Sequence, residues 1–296
     1  MFEVLGVDKG TTYTKTDRGL IIRSTVRTYR KNEVLLDNEK NIVEYEGSKY
    51  IVGEKGNYST DLMKSQHENT KLLILTAVGL SFTDRFIETN IVTGLPIALY
   101  SSQKQQMKDM LQRDSTHQIT INGQKKYIRF PNIEVFPESA GAFYSQSEYT
   151  DALIVDIGGL SIDIALFEKG KLIKYSTYPM GVMKLYSKIT NYINSQYDLS
   201  LTEWDMEKVL NEGLYIYGER VELNYDYLIK EHIEEIIERL KLEYDLKIIA
   251  NVLLTGGGSQ WIYKHFQQYI PQAKLMANSQ FSNVIGYRNI GKVIFR

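Results

Sequence analysis

The chain has 296 residues, 43% hydrophobic and 24% charged, with a formal net charge of −1 and no cysteine. That length predicts roughly two domains of about 150 residues each, with enough apolar side chains for a sizeable core. The near-neutral balance lacks the clustered Lys and Arg of a direct nucleic-acid binder. The missing cysteines exclude disulfides, thiolate metal sites and Cys nucleophiles.

The start, Met1-Phe2-Glu3-Val4, has neither the basic nor the apolar region of a signal peptide. The longest apolar stretch, 72–80, is too short to cross a bilayer. The expected compartment is the cytoplasm, away from membranes. Strand-like runs at 3–8, 12–16 and 20–29 predict a three-strand meander, with Asp17-Arg18-Gly19 as a turn. Residues 72–80 predict a buried helix capped by Asn69 or Thr70. A strand at 91–95 ends at Pro96, and Ser101 or Ser102 caps a helix to about 111. Asn122-Gly123 marks a hairpin over 119–130. A strand at 133–136 and a helix opened by Pro137 follow.

The pattern then restarts. Strands are predicted at 153–156, 161–167 and 172–177, with Glu168-Lys169-Gly170 as the second turn. Helices are predicted at 183–196, at 202–212 from the capping box Thr202-Glu203-Trp204-Asp205, and at 227–244. In the last of these, Ile233, Ile236, Ile237 and Leu240 share a face, and Glu235 and Arg239 are spaced to pair. A strand at 248–254, the loop Gly256-Gly257-Gly258 and a helix from Ser259 to about 268 come next. The restart places a domain boundary near 147–150.

Val7-Asp8-x-Gly10-Thr11-Thr12 and Val155-Asp156-x-Gly158-Gly159-Leu160-Ser161 share one plan. Each puts Asp at a strand end, then a tight glycine turn, then a hydroxyl-bearing second strand. Glycine lets a phosphate approach the backbone, and successive turn N–H groups form an anion nest. An Asp at the strand end can hold Mg²⁺ through water. One such turn is an ordinary β-turn; two in matching contexts point to a shared phosphate clamp. Leu253-Leu254-Thr255-Gly256-Gly257-Gly258-Ser259 is a glycine-rich strand-to-helix loop, suited to a ligand at a positive helix end or to a simple turn. Glu138, at the first turn of a small-residue helix, reads by itself as compensation of the helix dipole.

Other patterns carry no function. Gly286-Tyr287-Arg288-Asn289-Ile290-Gly291-Lys292-Val293 nearly fits a P-loop but has Val293 where Ser or Thr must meet Mg²⁺, and too little chain follows for the required helix. His67, His117, His232 and His265 show no metal-ligand spacing, and the sequon at Asn57 has no secretory context.

Taken in order, these pieces resemble the actin, sugar-kinase and heat-shock-chaperone ATPase superfamily over nearly the whole chain. The details are most similar to bacterial plasmid-segregating actins of the ParM type: Gly6-Val7-Asp8-x-Gly10-x-x-x-Thr14-Lys15, Pro137-Glu138-Ser139-Ala140-Gly141, Asp156-Ile157-Gly158-Gly159-x-Ser161-x-Asp163, and the ending Gln280-Phe281-Ser282-Asn283-Val284-Ile285-Gly286-Tyr287. The resemblance implies an α/β actin-like fold of two ribonuclease-H-like domains with a nucleotide cleft between them. Domain I would take residues 1–148 plus 279–296, and domain II 149–278. It implies a Mg²⁺-dependent ATP or GTP hydrolase that polymerises into filaments for plasmid segregation; the alternatives are a small-molecule kinase or a non-polymerising nucleotide switch. Asp8 and Asp156 would organise Mg²⁺, and Glu138 would orient or activate the attacking water. Gly10, Thr11, Thr12, Gly158, Gly159 and Ser161 would cradle phosphates, and Gly256, Gly257 and Gly258 would abut the adenosine. Lys15 fits either a phosphate contact or a strand-end surface. Leu160 departs from the Thr or Ser of many relatives, which removes one phosphate donor. The implied partners are further copies of the chain and a separate DNA-binding adaptor.

Overall fold

The computed structural model describes residues 2–30, 40–54, 69–148 and 150–296; the sequon at Asn57 and His67 lie outside them. The first half forms β1 (Val4–Lys9), β2 (Tyr13–Thr16), β3 (Ile21–Arg23), β4 (Val26–Thr28), β5 (Asn41–Tyr45), β6 (Ser48–Val52), α1 (Asn69–Ser81), β7 (Phe86–Glu88), β8 (Asn90–Leu95), α2 (Tyr100–Gln112), β9 (His117–Ile121), β10 (Gln124–Arg129), β11 (Ile133–Pro137) and α3 (Ala140–Phe143). The second forms β12 (Ala152–Ile157), β13 (Ile162–Glu168), β14 (Lys171–Tyr178), α4 (Val182–Tyr197), α5 (Met206–Glu212), β15 (Leu214–Ile216), β16 (Glu219–Val221), α6 (Asp226–Glu243), β17 (Val252–Thr255), α7 (Ser259–Tyr269), β18 (Ala273–Leu275) and α8 (Ser282–Ile294).

Two mixed sheets repeat one plan. The antiparallel meander β1-β2-β3 is extended in parallel by β8 and β11, in the order β11-β8-β1-β2-β3. The meander β12-β13-β14 is extended in parallel by β17 and β18, in the order β14-β13-β12-β17-β18. Strands β1, β8 and β12 are buried along their whole length, as strands covered on both faces must be. In the first half, α1 packs between this sheet and a second one, joining Val7 to Val43 and Ile119. In the second half, Ile189 and Ile193 of α4 meet Ile233, Ile236, Ile237 and Leu240 of α6. A third cluster crosses between the halves, bringing Ala142 and Phe143 to Ile154, Phe167 and Leu253. The Phe143 and Phe167 rings stack there at 3.8 Å.

The architecture is the two-domain α/β one expected, with local differences. Residues 20–29 are not one strand. Ser24 donates to the Gly10 carbonyl and Thr25 to the Glu54 carbonyl, so the chain leaves the first sheet after β3 and enters the second at β4. Pro137 ends β11 rather than opening a helix; Ser139 turns at φ 60°, and the helix that follows spans four residues, after Glu138. Neither Ser101 nor Ser102 caps α2. A 3-10 turn at Ile97–Leu99 leads into it, and Ser102 donates back to the Leu99 carbonyl. Ser259 likewise donates back to the Gly256 carbonyl as the first residue of α7. Glu235 pairs with Lys184 at 2.7 Å and Lys188 at 3.4 Å, across to α4. β17 begins only at Val252, because Ile248 is 79% exposed beyond the turn at Asp245. The Thr202 capping box and the Asn122-Gly123 turn form as expected.

The P-loop-like stretch lies inside α8, a helix the sequence reading did not anticipate. This last helix lies on β1, where its backbone at Val284 crosses Gly6, and its Gly286 meets the backbone of Gly141 in α3. Both contacts leave no room for a Cβ. We expect Gly286→Ala to cost about 3 kcal/mol of stability through overpacking. Val293→Ala, at a position 64% exposed on the same helix, should stay within about 0.5 kcal/mol. Urea midpoints of the two variants check this.

Candidate functional site

Every candidate residue lines one cleft of about 900 Å³, its open mouth included: Asp8, Gly10, Thr11, Thr12 and Lys15 from the first turn; Glu138; Asp156, Gly158, Gly159 and Ser161 from the second; and Gly256, Gly257 and Gly258. The two turns touch. A Cβ on Gly159 would run into the Thr12 side chain of the opposite half, so only glycine lets the turns close to this distance.

Local hydrogen bonds fix each turn. Ser24 holds the first through the carbonyls of Gly10 (2.7 Å) and Thr12 (2.8 Å). The second closes through Gly158 N–H to the Ser161 carbonyl, 3.0 Å. The carbonyls of Gly158 and Gly159 accept from Val182 and Met183, which joins the turn to the start of α4. The triple-glycine loop joins the same scaffold: Gly258 N–H donates to the Ile157 carbonyl and Gly256 N–H to the Ser279 carbonyl. Gly256 stands at φ 86°, a left-handed conformation that favours glycine. The loop leads into the N-terminus of α7, where backbone N–H groups and the helix dipole favour an anion.

The carboxylates sit at the floor. Asp8 is 5% exposed, with Oδ2 3.2 Å from Lys15 Nζ, and Lys15 also donates to the Gln280 carbonyl at 3.0 Å. Lys15 therefore faces the cleft rather than a surface. Asp8 Oδ1 is buried without a hydrogen-bond partner among the described residues. Asp156 accepts from Asn283 Nδ2 at 2.6 Å. Burial, reinforced by the Asp163 carboxylate, pushes Asp156 up to about 6. Asp163 in turn accepts from Ser161 (3.0 Å) and Thr177 (2.7 Å), which orients the Ser161 hydroxyl. Two desolvated carboxylates facing a cleft, one with an unpartnered oxygen, suit a hard cation. Among the described residues no group of three or more His, Cys, Asp or Glu is set to enclose an ion directly. A pair of carboxylates suits an ion that keeps most of its own water, as Mg²⁺ does.

Several lining residues escaped the sequence reading. Asn283 and Gln280 belong to the chain's ending, which resemblance alone had marked, without roles. At the mouth, Tyr13 of β2 donates to Glu207 of α5 at 3.0 Å and meets Trp204 edge-on at 5.8 Å. Burial and the Glu207 carboxylate hold the Tyr13 phenol well above its usual range. No local signal tied Tyr13 to a residue 194 positions away. Among the described residues no helix is long and apolar enough to cross a membrane.

Comparison with known proteins places the chain. Residues 6–141 match the family model for the actin-like proteins' N-terminal domain. Residues 154–268 match that for the C-terminal part of archaeal MreB-like actin homologues. No curated protein matches the chain. Among solved structures, the archaeal actin homologue Ta0583 superposes with a TM-score of 0.82 at 18% identity, over 99% of this chain and 100% of that one. It superposes equally well as its complex with ADP, with a TM-score of 0.81. A non-polymerisable quadruple mutant of pCBH ParM gives 0.80 at 23% identity, over 98% and 99%. The ParM of a 15-stranded filament from Clostridium botulinum gives 0.79 at 23%, over 99% and 100%. At these identities the likeness to ParM is one of fold. The two family models follow one another along most of the chain, each on one of its two repeated sheets, and the chain belongs to the actin-like proteins.

Proposed function

We propose that this protein is a Mg²⁺-dependent ATPase, or GTPase, that polymerises with bound nucleotide and segregates a plasmid or similar replicon in the cytoplasm. The observation that carries the hydrolase reading is the contact of the two Asp-Gly turns across the cleft, Gly159 on Thr12, above the buried Asp8 and Asp156. The filament reading is supported by the ParM relatives of like fold. A separate DNA-binding adaptor would attach the cargo, in keeping with the near-neutral charge of this chain. The domains are taken as 1–148 with 279–296, and 149–278; the return of α8 to β1 and α3 supports that division.

The residues divide the task. Turn N–H groups at Gly10 to Thr12 and Gly159 to Ser161 hold phosphate oxygens, while Gly158 shapes the second turn through its bond to the Ser161 carbonyl. Gly256 to Gly258 admit the nucleotide to the start of α7. Lys15, held between Asp8 and the Gln280 carbonyl, adds positive charge at the floor. Asp8 and Asp156 would hold Mg²⁺, which would supply charge neutralisation of the phosphates. Glu138 orients the attacking water and takes its proton. Little covalent work falls to the protein; positioning and electrostatics dominate.

Three outcomes follow. Light scattering with Mg-ATP and Mg-GTP should show polymer above a critical concentration; no sedimentable polymer over a wide range would remove the filament. Glu138→Ala should keep nucleotide binding and slow phosphate release by on the order of 10² or more, and its polymers should persist longer. Unchanged turnover would take Glu138 out of the mechanism. Asp156→Asn addresses pH. A folded-state value raised from 3.8 to about 6 means that the protonated form favours folding. That contribution is complete below about 3.8 and is lost as pH rises through about 6. The nucleotide-free Asn variant should therefore be more stable than wild type at pH 8, by on the order of 2 kcal/mol, with the gain vanishing near pH 4. It should also lose Mg²⁺-dependent turnover. Thermal melts at the two pH values check the sign.

A further inference from the structure

On the face of the first sheet that α8 covers, Val4, Gly6 and Asp8 of β1 alternate outward beside Val92 and Gly94 of β8 and Phe136 of β11. The pairing of Val7 with Thr93 makes Asp8 and Gly94 the next neighbours across the strands, and Phe136 pairs with Gly94 on the other side. Gly94 is therefore a gap between Asp8 and Phe136, with strands about 4.8 Å apart.

The Tyr287 phenol of α8 fills that gap. A methyl group on Gly94 would run into its oxygen, and one on Gly141 into its ring edge. Tyr287 is fully buried, and its hydroxyl has no hydrogen-bond partner among the described residues. Asp8, the neighbour of Gly94 across the strands, also has an oxygen without a partner among the described residues, Oδ1. Buried polar atoms such as these, one a donor and one an acceptor, are rarely left unpaired in a folded protein, and an ordered water is the usual partner where no side chain reaches. A tyrosine phenol is protonated at neutral pH and so can donate. One turn earlier on the same helix, Asn283 donates to Asp156. α8 thus places one polar group on Asp156 and another in the gap at Gly94, next to Asp8 in the strand register.

We propose that the Tyr287 hydroxyl donates to a buried water, which donates in turn to Asp8 Oδ1, making Tyr287 a positioning residue for Asp8. With Oδ2 held by Lys15 and Oδ1 by the water, the carboxylate keeps one orientation toward the cleft. The consequence for Mg²⁺ rests on the reading of Asp8 as an Mg²⁺-organising group; the water itself does not.

Two measurements on the full chain test this. The first is a crystal structure of the nucleotide-free wild type at a resolution that shows ordered water. A water within hydrogen-bond distance of both Tyr287 Oη and Asp8 Oδ1 supports the proposal, and density empty of one overturns it. The second uses Tyr287→Phe, which keeps the ring and removes the hydroxyl. Nucleotide binding without Mg²⁺ should match wild type. The Mg²⁺ concentration for half-maximal phosphate release should rise about tenfold, in line with other residues that orient metal ligands. The same Mg²⁺ dependence as wild type would reduce Tyr287 to packing. Should the Phe variant fail to fold, the crystallographic water decides alone. A wild type with no Mg²⁺-stimulated phosphate release would count against the hydrolase reading instead, and the water would still test the link between Tyr287 and Asp8.

Discussion

The side-chain amide of Asn283 joins the two halves of the molecule. Its oxygen accepts from the Ala142 N–H at 2.9 Å, and its nitrogen donates to the Asp156 carboxylate at 2.6 Å. One planar group thus fixes the distance between α3, just after Glu138, and the strand end that carries Asp156. A hydrogen bond to a buried carboxylate is among the stronger non-covalent links, and the low local dielectric strengthens it further. The placement of α8 follows from the same constraint. The helix reaches Asp156 only because Gly6 and Gly286 let its backbone press against β1 and α3.

The cost of this arrangement is visible in Asp156. Burial and the nearby Asp163 carboxylate both disfavour its charge, and the Lys15 charge and the Asn283 bond offset them only in part. Such tension is typical of sites where charge is to be met by a ligand. The surrounding cores carry the stability: β12 is buried along its whole length, and α4 and α6 cover the sheet with branched aliphatic residues. The strained groups stand at strand ends, where the sheet holds their backbone and frees their side chains.

Much of the cleft was legible in the sequence because its parts are local. Asp8-x-Gly10 and Asp156-x-Gly158 state their backbone demands within three residues, and the triple-glycine loop does so within three more. Elements were misread where a distant partner overrode local preference. Residues 20–29 have continuous strand propensity, yet Ser24 and Thr25 find carbonyls elsewhere and split the run. Glu138 looked like a helix start, yet Ser139 takes a left-handed turn that shortens the helix. α8 was hidden by its own glycines: Gly286 and Gly291 lower helix propensity, and they stand there because α3 and β1 lie too close for a side chain. Asn283 and Tyr287 were invisible as site residues for a related reason. Their partners lie at Asp156 and Gly94, and only the folded sheets bring them together.

The contact of Tyr13 with Glu207 and Trp204 makes the molecule a lever with unequal fastenings. Deeper in, the halves are joined by the Gly256 N–H to Ser279 carbonyl bond, the stacked Phe143 and Phe167 rings and the hydrogen bond from the Asn283 amide to the Asp156 carboxylate. At the mouth stand a phenol-to-carboxylate hydrogen bond, an edge-on ring contact and the Arg23 guanidinium over the Trp204 ring at 5.7 Å. Together these are worth about 2.5–5 kcal/mol. The mouth alone would then stand open roughly once in sixty to once in four thousand glimpses, each tenfold in population being about 1.4 kcal/mol. Parting these contacts would leave the Asn283 joint between Ala142 and Asp156 in place.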